Sequence, residues 1–264
     1  MRFDKWSKIV PFVVLLTISI AACAGSPQTP TPTPARSAPT YIAEHGYTQW
    51  DLVVLGDSIL WGFTAPYAAL LEQDLRVDVV PHDRTSSNLA SQDLLDRLRS
   101  DQELRDLLGE AEVIVIHVPR QRFAACAGFE EGTLRDCLPS AVQQYNADVT
   151  ALFAELVAIR SPSEALIRTM DAYSHWPIPE ARERGVQTII NEAWSQANEH
   201  LAAVAAQYQI PVALVYAAFN GPSGEQDPVA AGVMGVDGRH TTPQGAALIA
   251  QLVRDLGYNY GPPP

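Results

Sequence analysis

Residues 51–58 have the sequence Asp-Leu-Val-Val-Leu-Gly-Asp-Ser. The run Asp51–Leu55 is short and almost wholly apolar, which is typical of a strand buried on both faces. Gly56 then permits a sharp turn, because it has no Cβ to clash with the backbone. We therefore predict a buried strand that ends in a tight turn, with Ser58 exposed at the edge of a sheet near the positive end of the following helix.

Apolar and amphipathic segments alternate along the rest of the chain. Further apolar runs predict strands at Val77–Val80, Val113–His117, Ala165–Met170 and Pro211–Tyr216. Amphipathic stretches predict helices at 65–75, 91–99, 140–160, 186–207 and 242–256, and a short helix before Gly109. Buried strands interleaved with helices predict an α/β fold whose parallel sheet of five strands is covered on both faces.

Helix starts carry recognisable capping patterns. Ser100 with Glu103 and Ser140 with Gln143 have the spacing of capping boxes, and Thr242 precedes a proline at a first helical position. In parallel sheets, functional sites lie beyond the carboxyl ends of the strands. Candidate site residues therefore follow Leu55, Val80, Ile116, Met170 and Tyr216.

Ser58 has two possible partners near the other end of the chain. A serine becomes a nucleophile when a base accepts its proton, and that base needs an acid to orient it. Asp237 and His240 share one loop before the last helix, at a spacing that lets the carboxylate face one imidazole nitrogen while the other points at Ser58. The alternative is a capping serine, an Asp-Gly turn and a surface histidine.

Both segments resemble the sequence blocks of a known family, the GDSL/SGNH serine hydrolases. Gly56-Asp57-Ser58-Ile59-Leu60-Trp61-Gly62 is similar to the family's first block, and 237–245, Asp-Gly-Arg-His-Thr-Thr-Pro-Gln-Gly, is similar to its last. The resemblance spans about residues 50–256. It implies a three-layer, flavodoxin-like fold and esterase or related acyl-hydrolase chemistry through Ser58, Asp237 and His240, without metal or cofactor.

The two central blocks of the family depart from its pattern here. The second block presents a glycine whose backbone N–H serves the oxyanion hole, together with that of Ser58, and this position falls on Asn88. A backbone donor survives the change, and asparagine tolerates unusual dihedral angles. The third block contains an asparagine where this chain has Arg120. Arg120 either supplies a charged oxyanion donor instead or makes an ordinary salt bridge.

The other residues of this region have structural interpretations. Asp57 is expected to bond nearby backbone, and His117 to be a buried histidine with satisfied hydrogen bonds or to line the pocket. Trp61 and Trp176 follow strand ends and either line an acyl or sugar pocket or pack in the core. We assign no role to the remaining histidines, which are His45, His82, His175 and His200.

Composition excludes several classes of protein. The chain has 264 residues and a net charge of −12, and its only lysines are Lys5 and Lys8. Without other lysines it has no phosphate-binding loop lysine, no pyridoxal Schiff base and no Ser–Lys dyad. Strong negative charge without a basic cluster also argues against nucleic acid as a partner.

The N-terminus predicts export. Residues 1–22 combine a basic start with a short apolar run, and they end in Ile20-Ala21-Ala22-Cys23, which resembles a bacterial lipobox. We expect a lipoprotein signal peptide at 1–22 and lipidation of Cys23. A Pro/Thr/Ser-rich linker at 23–48 and a hydrolase domain at 49–260 would follow. An ordinary signal with a chance cysteine, or a core helix, is the alternative.

Two cysteines remain for the exported domain. Cys126 and Cys137 have ten residues between them, a spacing that matches no zinc site. In an exported protein, a disulfide is the default, and on the chain-entropy model it contributes roughly 3 kcal/mol to stability. Two free thiols are the alternative.

These observations predict a lipid-anchored serine esterase on the outer face of a bacterial membrane, acting as a monomer on carboxylic esters of small molecules, lipids or glycans. The negative surface weakly favours neutral esters. The sequence does not distinguish hydrolysis from transfer of the acyl group to another hydroxyl by the same residues. A surface lipoprotein that keeps the fold, has lost catalysis and binds a ligand or wall polymer is the second hypothesis, and Arg120 is its main support.

Overall fold

The structure is a computed structural model that describes residues 37–126, 128 and 130–261. The predicted signal peptide at 1–22, the lipidation site Cys23 and most of the predicted linker lie outside these residues. Within the part of the chain that is described, no helix combines the length and the apolar composition needed to cross a bilayer.

Five parallel strands form the central sheet, as the apolar runs predict. The strands are β1 (Gln49–Asp57), β2 (Asp78–Ser86), β3 (Val113–Ile116), β4 (Leu166–Met170) and β5 (Val212–Ala213). Their order across the sheet is β2-β1-β3-β4-β5. The order reverses between β1 and β3, and in parallel sheets such a switch point opens a crevice at the carboxyl ends.

The described helices connect and cover the strands. They are α1 (Ala38–His45), α2 (Thr64–Leu75), α3 (Ser91–Ser100), α4 (Gln102–Glu110), α5 (Gln121–Ala125), α6 (Glu131–Ile159), α7 (Ile178–Glu183), α8 (Gln187–Gln207), α9 (Val215–Asn220) and α10 (Pro243–Arg254). A short 3₁₀ helix, Ser58–Leu60, follows β1 directly.

Alternation along the strands produces a core on each face of the sheet. In β1, Val53 and Leu55 pack with helices α3, α4, α6 and α8. Leu52 and Val54 point the other way and pack with α1, α2 and α10. Burying such side chains contributes about 1.5–3 kcal/mol each. The three-layer α/β architecture with a five-stranded parallel sheet is therefore confirmed.

The second strand is longer than its apolar run. We predicted its end at Val80, but β2 continues through Pro81, His82 and Asp83 to Ser86, which pairs with Asp57. Because β2 lies at the edge of the sheet, polar side chains on it reach water. Its hydrogen bonds to β1, more than apolar burial, define the strand.

Two predicted helix caps are wrong. Asp101, not Ser100, caps α4, because its side chain accepts a hydrogen bond from the Leu104 N–H at 3.0 Å. Helix α6 begins at Glu131 rather than Ser140 and runs through Pro139. A helix-interior proline costs about 3 kcal/mol. Leu134 and Leu138, on the two turns before it, are buried and stabilise this part of the helix.

The last strand and the start of the folded domain also differ from prediction. β5 stops at Ala213, and helix α9 follows because the buried Asp171 carboxylate accepts a hydrogen bond from the Tyr216 N–H at 2.7 Å. Residues 38–45, predicted as linker, form α1. Its Tyr41 ring stacks on Tyr260 at 4.6 Å, which places this helix in the fold.

The predicted disulfide is present. Cys126 and Cys137 are bonded, with their Cα atoms 5.6 Å apart. The bridge ties α5, which lies directly after β3, to the first turns of α6. It therefore constrains the segment that borders the carboxyl end of β3.

Gly56 is a position at which the backbone tolerates little change. Its φ is +144°, and an added Cβ would lie 3.0 Å from both the Cβ and the carbonyl oxygen of His117. We expect Gly56→Ala to lower the free energy of unfolding by about 2 kcal/mol in urea denaturation. In Gly109→Ala, the control, the new methyl meets nothing within 4 Å and should stabilise α4 by about 0.5–1 kcal/mol. Equal stability of Gly56→Ala and wild type would contradict the close approach.

Candidate active site

Ser58 begins the 3₁₀ helix at the carboxyl end of β1, as predicted. It is buried, at 8% exposure, so the prediction that Ser58 is exposed is wrong. Asp57 stabilises this turn, because its side chain accepts a hydrogen bond from the Ile59 N–H at 3.1 Å. The predicted structural role of Asp57 is confirmed by this bond. The turn places the Ser58 hydroxyl at the crevice and not inside the sheet.

His240 lies between Ser58 and Asp237. Its Nε2 is 3.1 Å from the Ser58 Oγ, and its Nδ1 is 2.6 Å from an Asp237 carboxylate oxygen. The structure thus brings together the three residues that the sequence analysis paired. These distances are those of a hydroxyl, a base and an orienting acid in hydrogen-bond contact.

Local backbone bonds fix the loop that carries Asp237 and His240. The Asp237 carboxylate accepts hydrogen bonds from the Arg239 and His240 N–H groups at 3.0 and 3.1 Å. The Gly235 N–H donates to the His240 carbonyl oxygen at 2.8 Å, and the Tyr173 hydroxyl donates to the Arg239 carbonyl oxygen at 2.6 Å. The loop is therefore held both to itself and to the segment after β4.

The charge of Asp237 is stabilised at this position. Its hydrogen bond with His240, followed by those from the Arg239 and His240 backbone, lowers the pKa of the Asp237 carboxyl to about 2. Asp237 therefore remains an anion across the pH range in which hydrolases work. An anion there favours the tautomer of His240 that carries its proton on Nδ1.

A cleft of about 480 Å³, counted up to its open mouth, lies beside Ser58. It is lined by residues at or after the carboxyl ends of β1 to β4, by residues of α5 and α8, and by the loop before α10: Asp57, Ser58, Ile59, Asn88, Arg120, Gln121, Ala124, Ala172, Tyr173, His175, Trp194 and Arg239. Both residues at the variant family positions, Asn88 and Arg120, are therefore at the site. Trp176, which the sequence offered as a lining residue or a core residue, does not line this cleft. Trp194, which the sequence did not single out, does.

Asn88 has a left-handed backbone conformation. Its φ is +56°, in the left-handed region that glycine enters freely and asparagine enters more readily than most residues. The extension of β2 to Ser86 brings Asn88 beside Ser58, because Ser86 pairs with Asp57 across the sheet.

Arg120 is 4% exposed and lies in an aromatic box. Its guanidinium carbon is 4.7 Å from the ring centre of Tyr145, 5.6 Å from that of Trp194 and 5.7 Å from that of Phe123. Its Nη2 donates to the side-chain oxygen of Asn198. No carboxylate of the described residues forms an ion pair with it, so the predicted alternative of an ordinary salt bridge is wrong.

Two atoms of that guanidinium, Nε and Nη1, are buried without a hydrogen-bond partner among the described residues. A desolvated cation of this kind is costly unless aromatic faces or polar groups compensate it. Asn198 compensates it in part and also binds the Ala172 N–H at 3.2 Å. Asn198 was missed in the sequence, since nothing distinguishes it from other polar residues of α8.

Further titratable groups lie behind Ser58. His117 is buried, as predicted, and its Nδ1 is 3.3 Å from an Asp57 carboxylate oxygen. Neither ring nitrogen forms a hydrogen bond with a described residue, so the prediction of a satisfied histidine is wrong. Burial raises the pKa of Asp57, but His117, the Ile59 N–H and His175 together lower it by more, and the net shift is downward. Within the residues described, no group of three or more His, Cys, Asp or Glu is arranged to hold a metal ion.

His175 lines the cleft although the sequence gave no reason to select it. Burial, followed by the nearby Arg239 cation, lowers the pKa of His175 to about 4. The imidazole is therefore neutral at pH 7, and its ring packs edge-on to Trp194 at 5.7 Å between centres.

The depressed pKa of His175 makes stability depend on pH. Between its ordinary value of 6.5 and about 4, the unfolded chain binds a proton that the folded protein does not. The free energy of unfolding therefore falls as pH drops through this window. We expect the loss between pH 7 and pH 5, measured by urea denaturation, to be about 1–2 kcal/mol smaller in His175→Gln than in wild type. Identical pH dependence of the two proteins would contradict the assignment.

No protein-family model matches the chain, and no curated protein matches it significantly. Solved structures do match it. A lipase from a goat rumen metagenome is 20% identical, with a TM-score of 0.67 over 79% of this chain and 98% of that one. A variant of an acetyl xylan esterase from Geobacillus stearothermophilus is 16% identical, with a TM-score of 0.57 over 79% and 95%. A lipase/acylhydrolase from Enterococcus faecalis is 15% identical, with a TM-score of 0.52 over 78% and 95%. The chain therefore has the SGNH hydrolase fold of these lipase and esterase structures.

Proposed function

We propose that the protein hydrolyses carboxylic esters, with Ser58 as nucleophile, His240 as general base and Asp237 as the orienting acid. The observation that carries the proposal is the hydrogen-bonded series Ser58–His240–Asp237, at 3.1 and 2.6 Å, on the edge of a fold shared with lipases and esterases. Fold alone does not imply activity, so the site geometry is the decisive support.

In the first half of the reaction, the ester carbonyl is attacked. His240 Nε2 takes the Ser58 proton as Ser58 Oγ bonds to the carbonyl carbon, and Asp237 stabilises the imidazolium that forms. The bond from that carbon to the alcohol oxygen then breaks, and His240 returns the proton to the leaving alcohol. In the second half, water gives its proton to His240 and its oxygen attacks the acyl carbon. Ser58 Oγ leaves with that proton, and the acid is released.

The negative oxygen of each tetrahedral intermediate needs donors. We assign them to the backbone N–H groups of Ser58 and Asn88, both at the cleft, and to Arg120. The left-handed backbone of Asn88 supports its assignment. For Arg120 the support is its position at the cleft and its two unpartnered nitrogens, whereas the aromatic box holds the guanidinium back from solvent.

We infer the substrate class from the matched structures and from the net charge of the chain. The matched structures are those of lipases and an acetyl xylan esterase, so an acylated lipid or an acylated carbohydrate is the proposed substrate. Outside residues 1–22 the chain has 15 basic and 29 acidic residues, a net charge of −14. This surface repels polyanions weakly at physiological salt, which favours neutral esters.

We also propose that the protein is exported and held to the outer face of a bacterial membrane through a lipid on Cys23. The support is the sequence: a basic start, an apolar run and the segment Ile20–Cys23, followed by proline-rich residues. Cells grown with labelled palmitate should label the wild type and not Cys23→Ala. Equal labelling of both would contradict the anchor.

A second candidate function is a binding protein that retains this fold without catalysis. Arg120 favours it, because the guanidinium is packed among aromatic rings where the family has an asparagine. The intact contact between Ser58 and His240 opposes it.

Removing the nucleophile tests the proposed chemistry. With short-acyl nitrophenyl esters, we expect kcat of Ser58→Ala to fall at least about 10⁴-fold, because the covalent route is lost. Ser100→Ala, which alters a serine at the exposed end of α3, should keep wild-type kcat. Wild-type protein that is folded and shows no turnover would favour the binding protein.

Arg120→Met tests the third oxyanion donor while keeping apolar volume in the aromatic box. Losing a donor that acts in the transition state should lower kcat by about 10²–10³-fold with little change in KM. Circular dichroism and urea denaturation of the variant establish that it remains folded. An unchanged kcat in the folded variant would exclude Arg120 from the oxyanion hole.

A further inference from the structure

The indole of Trp61 stacks on the imidazole of His240. The ring centres are 5.2 Å apart and the planes differ by 4°, which is an offset parallel arrangement. Trp61 is nonetheless 47% exposed, so burial of a core side chain does not explain its position. The ring covers one face of the residue that we propose as general base.

Backbone contacts on both sides hold the two rings together. The Trp61 N–H donates to the Ser58 carbonyl oxygen at 3.2 Å, which fixes Trp61 to the turn of the nucleophile. The Thr241 hydroxyl donates to the Trp61 carbonyl oxygen at 3.3 Å, which fixes the same residue to the loop of the base. The stack therefore joins the two segments whose alignment hydrolysis requires.

His240 has little other protection from water. Its side chain is 33% exposed, and that of Asp237 is 51% exposed. Two hydrogen bonds fix the ring nitrogens, but they leave the faces of the imidazole open. An aromatic face against it restricts the ring and attracts it more strongly when it becomes a cation, through the quadrupole of the indole.

We propose that Trp61 is a positioning residue for the reaction, which holds His240 in line with Ser58 and stabilises the imidazolium that forms in the transition state. This proposal rests on the proposed hydrolytic function. It adds Trp61 to the three residues, Ser58, His240 and Asp237, that transfer the proton or orient the base. Trp61 acts through His240, so its removal should slow proton transfer more than it weakens substrate binding.

Kinetics of Trp61→Ala and Trp61→Phe on two acetyl esters test this role. One ester has a nitrophenyl leaving group and the other is an alkyl thioester, which offers no ring to stack on Trp61. We expect kcat of Trp61→Ala to fall about 3- to 20-fold on both, with KM nearly unchanged. The second-order rate constant for labelling Ser58 with a fluorophosphonate should fall by the same factor, because labelling uses the same proton transfer. Trp61→Phe should recover most of the loss.

Val236→Ala is the matched control. Val236 lies on the loop of Asp237, is 99% exposed and is apolar, so its truncation alters the same loop without removing a ring from His240. We expect wild-type kcat and labelling. The ring-proton resonances of His240, assigned by comparison with His240→Gln, provide a readout that needs no activity. They should show the upfield ring-current shift of the indole in wild type and lose it in Trp61→Ala.

The outcomes separate this inference from the proposed function. Unchanged kcat in Trp61→Ala, no recovery in Trp61→Phe, or no ring-current shift would each overturn the positioning role in an active enzyme. A rise in KM confined to the nitrophenyl ester would also overturn it and make Trp61 a surface for the leaving group. Wild-type protein with the shift but without turnover or labelling would overturn the hydrolytic function itself, and the positioning role of Trp61 with it.

Discussion

The contact between Ser58 and His240 is the interaction on which the proposed chemistry depends. It joins residues 182 positions apart, and neither loop specifies it alone. Bringing together two residues so far apart in the sequence costs conformational entropy. Burial of apolar side chains on both faces of the sheet offsets this cost, because it fixes the first strand and the last helix in the same fold. The sheet supplies the frame, the turn after β1 presents the hydroxyl, and the cap of α10 fixes the segment next to the imidazole.

Sequence patterns predict the parts of the molecule that burial controls. Strands β1 and β3 are predicted by their apolar runs, because their stability comes from apolar burial. The start of α10 is predicted by Thr242, because a helix cap is a contact between residues close in sequence. The two family blocks also identify Ser58, Asp237 and His240, which the fold brings together. Edge strand β2 was too short in prediction, because its polar second half is stabilised by pairing with β1 and not by its own composition.

Other features depend on contacts between distant segments and have no local signal. Helix α9 replaces the predicted end of β5 because Asp171, from the end of β4, caps it. His175 belongs to the site through the path of the loop after β4, and Asn198 through its bonds to Arg120 and Ala172. The rings of the aromatic box around Arg120 come from α5, α6 and α8. These helices are separate in the sequence, so no local pattern predicts that their rings surround Arg120.

Identification of the residue that reacts with a fluorophosphonate tests whether His240 activates Ser58. The wild-type protein is labelled, digested and mapped by mass spectrometry, with His240→Gln treated in parallel. We expect one adduct, on the peptide that contains Ser58, and labelling that is slower by orders of magnitude in His240→Gln. An adduct on another residue, or equal labelling of Ser58 in His240→Gln, would contradict the activation of Ser58 by His240.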